Sequence, residues 1–317
     1  MIKILANDGL GPTGSKMLLD AGFTLITEGY PQENLISEIN KQKFEALLVR
    51  SATEIPRILI DSCPSIKLIA RVGTGMDHID VEYAVEKGIK VLSTPIESSP
   101  AVAELVFAHL FSISRRLFDS NRNLPKGANF RELKRKYKDG MELGGKTLGI
   151  VGFGRIGQEV AKRAIGMGMK IIASDPFVAE ATLRITIQGA DDILIGVDTV
   201  SLEKVLKESD YLSLHLPLPY DKKPVITRKE IGIMKDGVIL INVSRGGVID
   251  EDDLIEALRS GKISHAGLDV FCNEPNPRED LIRLENVSVT PHIGGATVEA
   301  QERISIRLAE EIIRYFK

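Results

Sequence analysis

Gly152-Phe153-Gly154-Arg155-Ile156-Gly157 constrains this chain more than any other stretch, because of what stands on either side of it. The preceding Thr147-Leu148-Gly149-Ile150-Val151 has the apolar content of a buried strand. After the glycines, Ile156, Val160 and Ala164 recur every fourth residue, as one face of a helix requires. A second apolar run, Lys170-Ile171-Ile172-Ala173-Ser174, then ends in Asp175. Gly152 would allow a tight turn, Gly154 would let the backbone approach a pyrophosphate, and Gly157 would bring the helix close to the strand. The phosphates would then lie at the positive end of the helix. Asp175 comes 18 residues after Gly157, where an acid that bonds a ribose 2′-hydroxyl is expected. A carboxylate there repels a 2′-phosphate, so the predicted cofactor is NAD rather than NADP.

At 317 residues the chain is long enough for two domains, each with its own core. Hydrophobic residues at 43% and a formal charge of -3 describe a soluble globular protein with no general affinity for nucleic acid or an acidic membrane. Cys63 and Cys272, far apart in sequence, argue against a disulfide framework and suit a reducing compartment. No apolar run approaches the roughly 18 residues of a membrane span. Met1-Ile2-Lys3-Ile4-Leu5 enters a strand rather than a signal peptide, and the expected location is the cytoplasm.

From the N-terminus, strand-like runs at Ile2 to Leu5, Phe23 to Ile26, Ala46 to Val49, Leu68 to Val72 and Ile89 to Leu92 alternate with helical segments starting near Thr13 and Gln32. This is an open α/β layout with a mostly parallel sheet. Ser99-Pro100 opens a long apolar helix whose stripe, with Leu105, Val106, His109, Leu110, Ile113 and Leu117, is wider than one core face needs. Lys126 to Lys138, with Arg131, Lys134, Arg135 and Lys136, reads as a solvated connector, with a part in attracting an anionic partner left open. Strands recur at Tyr211 to Leu216, Val238 to Val243, Ala266 to Val270 and Val287 to Thr290 with helical patterns between them, as in a doubly wound nucleotide domain. Ile304, Leu308, Ile312 and Phe316 mark an amphipathic C-terminal helix.

Ligands of open parallel sheets lie beyond the carboxyl ends of the strands, so the residues following each strand form one candidate set. Ile241-Asn242-Val243 runs into Ser244-Arg245-Gly246-Gly247. Asp269-Val270 leads to Glu274-Pro275, and Val287 to Thr290 leads to Pro291-His292-Ile293-Gly294-Gly295. A cation, an acid and an imidazole at one sheet edge suit hydride transfer at a carbonyl. His292 titrates near neutrality and can exchange the hydroxyl proton. Glu274 can bond the other ring nitrogen, while Arg245 can polarise the carbonyl and hold a carboxylate. No metal centre is expected.

Those motifs, together with Val248-Ile249-Asp250 and Gly267-Leu268-Asp269-Val270-Phe271, closely resemble the D-2-hydroxyacid dehydrogenase family over nearly the whole chain. The resemblance implies that Arg245, Glu274 and His292 are the catalytic trio. It also implies cofactor contacts from Thr74, Gly152, Gly154, Arg155, Ile156, Gly157, Asp175, His215, Leu216, Pro217, Val243, Ser244, Arg245, Asp269, His292, Gly294 and Gly295. Two doubly wound parallel-sheet domains are implied: a Rossmann NAD-binding domain of residues 99–292, inserted into a flavodoxin-like substrate domain of residues 1–98 and 293–317. The helix after Ser99 resembles the family's dimerisation arm, which makes a homodimer the expected assembly, leaves a tetramer open, and assigns His109 to core or interface. Leu216 stands where resembling enzymes often carry a hydroxyl or another small group.

Within the family, Val49-Arg50-Ser51-Ala52-Thr53 and Ala70-Arg71-Val72-Gly73-Thr74-Gly75-Met76-Asp77 look most like the branch that oxidises 3-phospho-D-glycerate. The resemblance implies that the amides of Val72 and Gly73 hold the substrate carboxylate and that Thr74 faces the nicotinamide. Arg50, beside Ser51, and Arg71 offer fixed charge and several donors for a phosphate, or pair with nearby acids. The expected partner is thus a phosphorylated 2-hydroxyacid, with a glyoxylate or hydroxypyruvate reductase as the alternative. An NAD-sensing, corepressor-like binding protein is the alternative of another class. The sequence ends at Lys317, so the small regulatory domain of long family members, and control by serine through it, are not expected.

Overall fold

The computed structural model describes all residues except Thr74, Ala128 and Tyr220. It divides into two compact units, Met1–Ala101 with Gly295–Lys317, and Val102–Gly294. The first unit begins with β1 (Lys3–Ala6), α1 (Pro12–Asp20), β2 (Thr24–Ile26), α2 (Gln32–Gln42) and β3 (Ala46–Val49). α3 (Arg57–Ser62), β4 (Leu68–Arg71), α4 (Val81–Glu86) and β5 (Lys90–Leu92) follow. The five strands form one parallel sheet in the order β2-β1-β3-β4-β5, a flavodoxin-like winding. Because side chains alternate along a strand, both sheet faces are apolar and both are covered. Leu5, Leu47 and Ile69 pack with Leu35 and Ile39 of α2 and Leu59 of α3. Ile4, Leu48 and Ala70 pack on the opposite face with Leu18 of α1.

α5 (Ser99–Ser114) crosses the boundary between the units in its first turn. The second unit continues with α6 (Leu117–Asn123), α7 (Phe130–Lys136), β6 (Thr147–Val151), α8 (Arg155–Gly166) and β7 (Lys170–Ser174). Next come β8 (Glu180–Ile185), β9 (Ile193–Asp198), α9 (Leu202–Glu208), β10 (Tyr211–Leu214), α10 (Arg228–Ile233) and β11 (Val238–Asn242). α11 (Glu251–Ser260), β12 (Ile263–Leu268), α12 (Glu279–Ile282) and β13 (Val287–Val289) complete it. Six strands form a parallel sheet in the order β13-β12-β11-β10-β6-β7. The winding reverses between β6 and β10, so the turn from β6 to α8 opens at the crevice where such sheets bind ligands.

α13 (Val298–Phe316) returns to the first unit and buries Ile304, Leu308 and Ile312 beside α1. Close packing of the two helices depends on Gly14, where a Cβ would lie 2.3 Å from the Ser305 carbonyl oxygen.

Two stretches depart from the patterns expected of them. No strand is expected between Asp175 and Tyr211, yet residues 180–198 form the antiparallel hairpin β8-β9, with Ala181 opposite Val197 and Leu183 opposite Ile195. Leu183 is fully buried in the cluster that contains Val160 and Ala164 of α8, so the hairpin covers the surface that a crossover helix would cover. The chain then touches the sheet edge at one point, where the Val200 amide donates to the Ala173 carbonyl at 2.8 Å. The expected basic connector contains α7, capped by the Asn129 side chain, with Lys136 bound to Asp119 at 3.0 Å.

Candidate active site

The glycine turn satisfies three separate steric demands. Gly152 has φ +92°, and a Cβ there would lie 2.3 Å from the His215 carbonyl oxygen. At Gly157 a Cβ would lie 2.2 Å from the Gly152 carbonyl oxygen, so α8 can start against β6 only with glycine there. A Cβ at Gly154 would meet nothing within 4 Å, and Gly154 caps α8 without a side-chain bond. The first turn of α8, with Arg155 and Ile156, therefore presents backbone N–H groups beside open space, as a pyrophosphate requires. Asp175, just past β7, holds the same turn: its Oδ2 accepts from the Phe153 amide at 2.7 Å and its Oδ1 from Phe177 at 2.8 Å. These residues fit the NAD assignment.

His215, Leu216 and Pro217 follow β10. The His215 amide donates to Val151 at 2.7 Å, and its imidazole bonds Ser213 Oγ at 2.9 Å. Burial pushes the His215 imidazole down to about 3, so it is neutral at physiological pH. Leu216 lies beside Gly152, its Cδ2 3.3 Å from where a Cβ on that glycine would be.

Beyond β11, β12 and β13 the structure brings the chemical groups together. Val243 and Ser244 are buried, and Ser244 donates its amide and hydroxyl to Asn242 Oδ1 at 3.0 and 2.7 Å. The Asn242 amide in turn donates to the Arg245 carbonyl at 3.0 Å. Asn242 thereby fixes the turn carrying Arg245, a role that residue type alone did not indicate. His292 Nδ1 lies 2.7 Å from Glu274 Oε2, and Glu274 Oε1 accepts from the Phe271 amide at 3.0 Å. The bond to Glu274 raises the His292 pKa above its ordinary value, against burial and the Arg245 charge. Burial pushes the Glu274 carboxyl up, but His292, the Phe271 amide and Arg245 together leave it below the usual carboxylate range.

His292 has φ +53°, a left-handed conformation uncommon for a residue with a Cβ. Asp269 imposes it: the carbonyl of Asp269 accepts from the His292 amide at 2.8 Å. Its carboxylate takes the amides of Ile293 at 2.8 Å and Gly294 at 2.9 Å, with Thr290 Oγ1 at 2.6 Å. Asp269 thus acts as a clamp on the turn bearing His292. Gly295 belongs to the first unit.

Arg50, Ser51, Arg71, Val72 and Gly73 all lie in the first unit, past β3 and β4. The Arg50 amide donates to Asp8 at 2.5 Å, while its buried Nε has no hydrogen-bond partner among the described residues. Arg71 folds onto its own loop, donating Nε to Gly75 at 2.8 Å and Nη1 to Val72 at 2.5 Å. Val72 and Gly73, whose amides are expected to hold a substrate carboxylate, lie just past β4. Val72 donates to Val49 and Gly73 to Arg71, each at 2.8 Å. Thr74 lies outside the described residues.

Residues 107–294 match the family described as "D-isomer specific 2-hydroxyacid dehydrogenase, NAD binding domain". The chain is 42% identical to a hydroxypyruvate reductase of Thermotoga maritima, over 98% of this chain and 97% of that one. It is 40% identical to a D-3-phosphoglycerate dehydrogenase of Methanocaldococcus jannaschii, over 98% of this chain but 57% of that relative's length. A solved glyoxylate reductase from Paecilomyes thermophila superposes with a TM-score of 0.82 at 30% identity, covering 100% of this chain and 96% of the other.

Proposed function

The chain belongs to the D-isomer specific 2-hydroxyacid dehydrogenase family, and on that premise we propose that it oxidises 3-phospho-D-glycerate at C2 to 3-phosphohydroxypyruvate with NAD. The single observation that supports the chemistry most is the His292–Glu274 bond of 2.7 Å within reach of the Arg245 charge. NAD, when bound, supplies the ring carbon that accepts the hydride. With Nδ1 turned to Glu274, Nε2 of His292 is the atom left to take the C2 hydroxyl proton. Glu274 stabilises the imidazolium that results, and Arg245 polarises the C2 oxygen while holding the neighbouring carboxylate. In reduction His292 returns the proton.

The phosphate reading rests on Arg50, whose buried Nε lacks a partner among the described residues, more than on Arg71, which is fastened to its own loop. A second reading, reduction of hydroxypyruvate, is supported by the relative that matches along nearly both full lengths. Values of kcat/KM for phosphorylated and unphosphorylated substrates, in wild type and Arg50→Ala, separate the two. One or two lost charge-assisted bonds should cost the phosphorylated substrate roughly 10- to 100-fold and leave the other nearly unchanged. Far better turnover of hydroxypyruvate than of its phosphate by the wild type would replace the first reading with the second.

A further inference from the structure

His109 reaches the turn bearing His292 from the core of the second unit. It is 2% exposed, on α5, with Nδ1 3.0 Å from Ser288 Oγ and Nε2 3.1 Å from Thr290 Oγ1. Gly267 on β12 makes room for it, since a Cβ there would lie 2.8 Å from the His109 Cβ.

The direction of these bonds follows from counting protons. The Asp269 carboxylate accepts two backbone amides, so the short bond from Thr290 Oγ1 must be donated by the hydroxyl. Having given its one hydrogen to Asp269, Thr290 Oγ1 can only accept from His109, which places the His109 proton on Nε2. Burial lowers the His109 pKa against the opposing pull of Asp269, so the ring is neutral and Nδ1 accepts the Ser288 hydroxyl. Ser288, His109 and Thr290 then donate in one direction, each bond polarising the next, toward the Asp269 carboxylate that clamps residues 292–294.

We infer that His109 is a positioning residue for the acid/base, holding the His292 turn in register through Thr290 and Asp269. The inference rests on reading His292 as the acid/base. The charges acting on His292 are Glu274, Asp269 and Arg245, and the charge acting on His109 is Asp269. Loss of the His109 donor frees Thr290 to swing away from Asp269 and loosens the clamp, which slackens the His292–Glu274 bond.

The test uses the full chain with NAD and compares His109→Leu, His109→Gln, Ser288→Ala and His292→Asn. His109→Leu should lower kcat roughly tenfold, as loss of a supporting partner does elsewhere, with Kd for NAD unchanged. It should also move the acid limb of the oxidation pH profile to lower pH. His109→Gln, whose amide can still donate to Thr290, should restore both. An unaltered pH profile in His109→Leu, or a Gln variant no better than Leu, overturns the inference. If His109→Leu does not fold, Ser288→Ala is read in its place: the limb should move in the same direction, and an unmoved limb overturns the inference equally. Activity surviving in His292→Asn removes the underlying reading. An inactive His292→Asn beside an unaltered His109→Leu removes the inference alone.

Discussion

Replacing Glu274 by Gln isolates the electrostatic part of the proposed mechanism, because the amide oxygen can still accept from His292 Nδ1 while the charge is gone. A hydrogen bond to a charged partner contributes about 1.5 to 3 kcal/mol. Here the side chains of His292 and Glu274 are 46% and 36% exposed, so solvent screens the pair and the lower end applies. About 1.4 kcal/mol corresponds to tenfold, and kcat/KM for oxidation should therefore fall roughly tenfold on the alkaline plateau. Oxidation needs neutral His292, so activity rises as pH passes upward through its pKa. Glu274 raises that pKa, hence the rise should begin at lower pH in the variant. Reduction needs the imidazolium, and its alkaline loss should likewise start at lower pH. Steady-state kcat/KM measured across pH in both directions checks the argument. An unmoved limb with undiminished kcat/KM would show that His292 is not the titrating group.

Asp175→Ser should reduce the preference for NAD over NADP by roughly tenfold or more, since it removes the carboxylate that repels a 2′-phosphate. Paired kcat/KM values for the two cofactors read this, and an unchanged ratio would dismiss Asp175 as the discriminator. Acid should destabilise the fold through histidines held neutral: burial lowers His78 and His265 to about 4 and His215 to about 3, and lowers His109 as well. Each depressed histidine lets the unfolded chain bind more protons, so its stabilisation is complete above about 6.5 and is lost as pH falls toward 3 to 4. Thermal midpoints should drop steadily over that window, and a flat profile between pH 6.5 and 4 would contradict the burial of these rings.

The glycine turn and its flanking strands are legible in sequence because every demand on them is local: a strand, a turn, a helix and an acid at fixed spacing. Arg245 and His292 are legible as candidates for a related reason, each lying a short turn past a strand, whereas Glu274 lies further on, in the loop after β12. The hairpin of residues 180–198 escapes a reading built on parallel strands joined by helices, although Ala181, Leu183 and Ile185 alternate as a strand would. The bonds of the Val72 and Gly73 amides to Val49 and Arg71 are not legible in sequence because they are a property of the folded backbone. His109 reads only as core or interface, since its partners lie 179 and 181 residues away. No spacing rule spans that distance.

The left-handed backbone at His292 makes this position selective twice over in any mutational survey. A replacement must do without the imidazole and must also accept φ +53°. Asparagine enters that region comparatively easily, whereas a typical L-residue pays roughly 1 to 2 kcal/mol and a β-branched one more. An alanine scan would therefore charge backbone strain to catalysis at this site. Valine or isoleucine should be rarer among folded variants here than chemical intolerance predicts, and asparagine gives the cleaner measure of what the ring itself contributes.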